Sequence, residues 1–218
     1  DTTRLAEYLE SPGLEKLQND PAFNAGSDII ASYRGMYAKL GSMAPSYEKG
    51  QRLFVAGLME MNKDKEYYPD ANSTMRLTYG TVGGYDPRDA VHYDYYTTLE
   101  GVMEKEDPEV REFNVKPKLK ELYKAKDYGR YANDKGEMVV GFLTNNDITG
   151  GNSGSPVLNG NGELIGIAFD GNWEAMSGDI AFEPELQRTI CVDIRYVLFV
   201  IDKFAGAQNL IDEMTIVD

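Results

Sequence analysis

The run Thr149-Gly150-Gly151-Asn152-Ser153-Gly154-Ser155-Pro156 brackets one serine with glycines. Glycine on either side lets a backbone turn tightly, so the N–H groups of Gly151 and Ser153 can point into one cavity beside the Ser153 hydroxyl. A carbonyl attacked by that hydroxyl would develop its negative charge there, which is the arrangement acyl transfer requires. A strand-like apolar segment follows at 156–169, as expected of a serine on a loop between strands. The residue types alone also suit an ordinary turn, because Gly, Ser and Asn dominate turns.

A serine nucleophile needs a base, usually an imidazole held by a carboxylate. The chain has one histidine, His92, in Asp89-Ala90-Val91-His92-Tyr93-Asp94-Tyr95-Tyr96. That tyrosine-rich, acidic setting lacks the small-residue turn that presents a catalytic histidine, so His92 reads as a structural or surface residue. On these residues the chain carries a nucleophile without its base. The single cysteine, Cys191, lies in the apolar run Thr189-Ile190-Cys191-Val192 and is expected to be a buried, inert thiol. The run Glu104-Lys105-Glu106-Asp107 reads as a solvated face. With no His/Cys ligand set, neither a metal nor a cofactor is expected.

The 36 acidic and 22 basic side chains give a net charge of -14, which argues against nucleic acid or an anionic membrane as partner. No signal peptide and no apolar run of transmembrane length is seen. The chain starts at Asp1 rather than Met, so it reads as a processed or truncated product and export stays open.

Positioning elements fall into two parts, with a change of character at Tyr68-Pro69-Asp70-Ala71-Asn72-Ser73. Residues 1–70 read as helical. Thr3 is placed as the cap of a helix over 4–10, and helices are expected over 21–41 and 45–63, the latter two packing as an antiparallel hairpin on their Met and aromatic positions. Residues 71–218 read as β-rich. Strands are expected at 74–79, 138–143, 156–158, 163–169, 179–182 and 189–192, with Asn159-Gly160-Asn161-Gly162 as a hairpin turn. Helices are expected at 117–126, 194–204 and 210–214, and Gly206 is placed as a C-terminal cap. The fold class is α+β.

Three segments in this order resemble the bacterial dipeptidyl-peptidase 7 and 11 family of exported serine exopeptidases. They are Pro69-Asp70-Ala71-Asn72-Ser73-Thr74-Met75-Arg76-Leu77-Thr78-Tyr79-Gly80, Asp147-Ile148-Thr149-Gly150-Gly151-Asn152-Ser153-Gly154-Ser155-Pro156-Val157, and Val192-Asp193-Ile194-Arg195-Tyr196-Val197-Leu198-Phe199. The resemblance covers the whole chain but only the last third of a full-length member. It implies the C-terminal part of a chymotrypsin-like β-barrel catalytic domain (71–218), preceded by the end of an inserted helical lid domain (1–70). The family's catalytic histidine and aspartate then lie upstream, outside this chain, and His92 does not match that histidine. Export to the periplasm and oligopeptide substrates are further implications. Family members tend to dimerise, and the apolar helix at 194–204 is a candidate for that interface, burial in its own core being the simpler account.

By the same resemblance, Ser153 matches the nucleophile and the Gly151 and Ser153 amides match the oxyanion hole. Asp170, in Phe169-Asp170-Gly171-Asn172-Trp173-Glu174, matches the aspartate that holds the substrate's α-amino group. Gly171 stands where relatives that cleave after Asp or Glu carry an arginine. An uncharged, roomy pocket would favour apolar residues before the cut, because an unpaired carboxylate there costs several kcal/mol. Trp173 is a candidate for the cleft or for the core. Asn152 occupies the position where digestive serine peptidases carry the aspartate that pairs with a new N-terminus on activation, so that switch is not expected. Two alternatives stand beside this reading: a glutamyl endopeptidase of the staphylococcal type, which shares the Gly-Asn-Ser-Gly-Ser-Pro string, and a non-catalytic assembly module that keeps a peptidase-like loop.

Overall fold

A computed structural model describes residues 2–67, 72–178 and 181–217. The chain divides into two compact units, Asp1–Ser73 and Thr74–Asp218. The expected change of character near residue 70 falls on 68–71, outside the described residues.

The first unit is helical: α1 (Thr2–Glu10), α2 (Leu14–Gln18), α3 (Pro21–Gly41) and α4 (Ala44–Met61). Thr3 lies inside the first turn of α1 rather than capping it. Asp20 caps α3, its carboxylate accepting from the amides of Ala22 and Phe23 at 2.8 and 3.1 Å, with Pro21 supplying a preset φ where no donor is needed. The expectation that the Met and aromatic positions form a core is not met within this unit. Among its described residues none is buried, and Ile29, Tyr33, Met36, Tyr47 and Phe54 are all more than half exposed. Two long helices and two short ones have too little mutual surface to enclose these side chains.

Among its described residues the second unit carries seven strands: β1 (Tyr85–Arg88), β2 (Val91–Tyr93), β3 (Tyr96–Thr98), β4 (Val139–Thr144), β5 (Pro156–Leu158), β6 (Leu164–Gly171) and β7 (Thr189–Asp193). The first two form a hairpin; the other five form one antiparallel sheet in the order β3-β4-β7-β6-β5. Helices α5 (Leu99–Glu104) and α6 (Pro117–Ala125) fill the β3–β4 connection. After β7 come α7 (Ile194–Phe199), a π-helical turn at Val200–Phe204, and α8 (Gln208–Asp212). Asp193 starts α7 by accepting the Arg195 amide at 2.9 Å, and its carboxylate also takes two hydrogen bonds from the Arg195 guanidinium.

Two apolar clusters hold this unit. One joins Leu99, Tyr128, Tyr131, Met138, Leu198, Phe199 and Ile211, so the apolar helix at 194–199 is spent on the core. Burial, with the Asp202 carboxylate accepting the Tyr131 hydroxyl at 3.0 Å, pushes the Tyr131 phenol up to about 12. The other cluster joins Phe142, Ala168 and Cys191 within the sheet. Cys191 is fully buried, and burial pushes its thiol up to about 11, which keeps it protonated and inert.

Among the described residues, the expected strand at 74–79 is absent and the one at 179–182 is described only in part. Residues 74–79 alternate in sequence but join no ladder; only Val82 bridges to Thr144. The strand at 179–182 has its first two positions outside the described residues, and Ala181 and Phe182 are in no strand.

Candidate active site

The loop between β4 and β5 is built from backbone constraints. Gly151 (φ +103°) and Gly154 (φ +84°) occupy the left-handed region that only glycine enters without strain, which explains the glycines flanking Asn152-Ser153. The Asn152 amide donates to the Thr149 carbonyl at 3.2 Å, and the Ser155 amide donates to the Asn152 carbonyl at 2.9 Å. The loop exit is stitched to β6: the Gly154 amide donates to the Ala168 carbonyl at 2.8 Å, and the Ala168 amide to the Ser155 carbonyl at 3.0 Å. The buried Asn152 side chain accepts the Thr149 amide at 3.2 Å through Oδ1 and also accepts Nη2 of Arg76.

Ser153 is exposed at the apex, and its hydroxyl donates to the Phe169 carbonyl at 3.3 Å. Phe169 is the extra residue of a bulge in β6, since Ala168 pairs with Cys191 and Asp170 with Ile190. The bulge therefore puts Asp170 and Gly171 next to the carbonyl that receives the Ser153 hydroxyl. Among the described residues, the Gly151 and Ser153 amides donate to no group of the chain.

Asp170 is exposed, one carboxylate oxygen accepting the Gly171 amide at 2.8 Å. Gly171 ends β6 opposite Thr189. A Cβ placed at Gly171 would lie 2.9 Å from the Ala175 Cβ, so a side chain here must displace that neighbour. Ala175 belongs to a 3-10 turn at Trp173–Ser177. Asn172 anchors this turn; it is buried, donates to Glu174 and to the Leu186 carbonyl at 2.9 and 2.8 Å, and accepts the Arg188 amide at 2.8 Å. Trp173 is 82% exposed, which excludes it from the core of this unit. A groove of about 620 Å³, lined in part by Tyr85, Tyr93, Tyr95, Phe142 and Trp173, opens beside the same turn.

The lone histidine stands apart from this cluster in its bonding. His92 is exposed on β2 and pairs through Nδ1 with Asp86 at 2.8 Å, a surface contact of the β1–β2 hairpin. Among the described residues no imidazole or carboxylate reaches Ser153. No group of His, Cys, Asp and Glu capable of holding a metal occurs among them either.

The family profile described as Peptidase S46 matches residues 1–216. This chain belongs to the peptidase S46 family. Its relatives include a dipeptidyl-peptidase 7 of Phocaeicola vulgatus, 56% identical over 97% of the chain and 29% of the relative. An Asp/Glu-specific dipeptidyl-peptidase of Porphyromonas gingivalis is 54% identical over 96% of the chain and 29% of the relative. Porphyromonas endodontalis DPP11, solved in complex with substrate, superposes with a TM-score of 0.87 at 47% identity, covering 98% of this chain and 31% of that one. The mixed helical and antiparallel-sheet structure matches that DPP11 structure. The chain spans under a third of the length of these relatives.

Sequence reasoning missed two contributors to the candidate site: Arg76, and the bulge at Phe169. Alternation in 74–79 marks Arg76 and Thr78 as one face, but nothing local reveals a partner 76 residues away. The bulge has no glycine or proline to announce it.

Proposed function

We propose that this chain carries the nucleophile, and part of the substrate cleft, of a serine dipeptidyl peptidase that removes dipeptides from oligopeptide N-termini. The observation that carries the reading is the exposed Ser153, held between two left-handed glycines, with Asp170 and Gly171 delivered to its side by the Phe169 bulge. The relatives named above as dipeptidyl peptidases support it.

In this mechanism the Ser153 hydroxyl gives its proton to a base and its oxygen forms a bond to the scissile carbonyl carbon. The carbonyl oxygen takes the negative charge and receives the uncommitted Gly151 and Ser153 amides. The proton passes to the leaving amine as the C–N bond breaks, leaving an acyl-enzyme that water hydrolyses by the reverse proton route. The base and its orienting carboxylate come from upstream residues of the complete protein, in the other part of a chymotrypsin-like barrel. Alone, the chain is therefore nearly inactive, keeping at most the residual effect of the oxyanion hole and binding.

Asp170 sets the register. Its carboxylate pairs with the substrate's α-ammonium, and anchoring that charge at a fixed distance from Ser153 makes the second peptide bond the one attacked. Specificity before the cut falls to Gly171. Overall identity to the two named specificities differs too little to decide, at 56% and 54%. Gly171 brings no cation to an acidic side chain, which favours an apolar residue there. The space beside it is already limited by Ala175. An exported, periplasmic enzyme is the setting we propose.

Mass spectrometry of products from a free and an N-acetylated oligopeptide tests this with the complete protein. Dipeptides are released from the free peptide only, and Ser153→Ala lowers the rate by about 10⁴-fold or more. Single amino acids or internal fragments as products would overturn it.

A further inference from the structure

We infer that Arg76 is a positioning residue for the Ser153 loop, a built-in cationic latch on the residue that precedes the nucleophile; this rests on the proposed function above. Its Nη2 donates to the Asn152 side-chain Oδ1 and lies 3.5 Å from the Gly150 carbonyl oxygen. The same nitrogen is the nearest atom, at 4.0 Å, to the position a Gly151 Cβ would occupy. Arg76 thus contacts Gly150 and Asn152 and borders Gly151, the three residues whose backbone leads into Ser153.

The segment that delivers Arg76 is fixed to the stem of the same loop. The Thr81 amide donates to Asn145 Oδ1 at 2.7 Å, the Asn145 amide to the Thr81 carbonyl at 3.1 Å, and the Gly83 amide to the Leu143 carbonyl at 3.1 Å. Gly80 is pressed so closely on Asn145 and Asn146 that a Cβ would fall 2.5 Å from Asn145 Oδ1. Four residues earlier the chain is not in a strand, and Met75, Leu77 and Tyr79 are more than four-fifths exposed while Arg76 is half-buried. Arg76 and Thr78 are the half-buried residues of this stretch, and Arg76 is the one of the two that carries a charge and reaches the loop.

The chemistry explains why a tie is needed. The Gly150-Gly151 pair has wide conformational freedom, so the Gly151 amide can rotate away from a developing oxyanion unless something outside the loop restrains it. Asn152 is neutral and offers a weak handle for a free ammonium, but a guanidinium makes a charge-assisted hydrogen bond to its carbonyl oxygen. Because Arg76 is part of the folded chain, the latch forms on folding and needs no cleavage to set it.

The test measures, in the complete protein, the second-order rate of fluorophosphonate labelling at Ser153 alongside kcat and KM for a dipeptidyl reporter. Arg76→Ala is expected to lower kcat and the labelling rate about 10- to 100-fold, the loss of one charge-assisted hydrogen bond, with KM held. Added methylguanidine restores part of both rates in Arg76→Ala, and Arg76→Lys retains part of them. Because the two residues act as a unit, Arg76→Ala in an Asn152→Ala background costs little more. Labelling of Arg76→Ala at the unaltered rate, a loss confined to KM, or full additivity with Asn152→Ala would overturn the latch while leaving Ser153 as nucleophile. Failure of the unaltered protein to label at Ser153 would remove the serine reading and the latch together.

Discussion

Replacing Gly171 by Arg tests whether this one position sets the preference before the cut, and the structure says what the change costs. Gly171 does not use a left-handed conformation, so a side chain there costs space alone. Its Cβ would sit 2.9 Å from the Ala175 Cβ and 3.8 Å from the Arg188 carbonyl oxygen. Carbon atoms are comfortable at about 3.5–4.0 Å, so Ala175 must retreat by most of an ångström. Retreat is resisted, because the Ala175 amide bonds to the Asn172 carbonyl at 3.0 Å and its own carbonyl accepts the Gly178 amide at 2.9 Å. Overpacking of this kind costs about 1–3 kcal/mol. Gly171→Ala and Gly171→Arg should both show that loss in denaturant unfolding, and adding Ala175→Gly should recover most of it. Only the arginine variants should raise kcat/KM for reporters with Glu before the cut, by about 10- to 100-fold, the value of a charge-assisted hydrogen bond. A Gly171→Ala variant as stable as the unaltered protein would refute the steric argument. An unchanged reporter profile for Gly171→Arg would refute the placement of the pocket.

Other consequences are independent of that position. Gly166→Ala places a carbon 2.7 Å from both a Phe142 ring atom and the Val192 carbonyl oxygen in the buried sheet, so it should destabilise by about 1–3 kcal/mol in denaturant unfolding. The Cys191 thiol, with its folded value at about 11, should react with a maleimide only after unfolding; rapid labelling of the native protein would contradict its burial. Its raised value also means that the unfolded chain loses the proton first, so this group's contribution to stability is lost as pH rises from the ordinary thiol range toward 11. If Asp170 holds an α-ammonium, kcat/KM should fall as pH rises through about 8, where peptide amino groups lose their charge. Asp170→Asn should lower kcat/KM mainly through KM.

Legibility in the sequence followed the locality of the physics. The strands at β4, β5, β6 and β7 were readable because Val139, Ile165, Ile167 and Ile190 sit in apolar runs bounded by turn residues. Asn159-Gly162 closes its hairpin with a left-handed Gly162, and the turn residues announced it. Strands β1 to β3 were hidden, since Asp86, Pro87 and His92 break any strand pattern and each element is only three or four residues long. The segment 74–79 shows the opposite error: alternation is necessary for a half-buried strand, but a ladder also needs a neighbour, and none is present among the described residues. In the candidate loop, the tight turn around Ser153 was readable because the constraint on Gly151 and Gly154 is local. The filling of the Gly171 space by Ala175 and the reach of Arg76 to Asn152 arise from tertiary packing, and local sequence carries no trace of either.

The most direct measurement is peptide mapping of the complete protein after treatment with a fluorophosphonate. A single adduct is expected, on the Ser153 hydroxyl, formed in step with loss of dipeptide release. An adduct on any other residue, or inactivation with Ser153 unmodified, would contradict it.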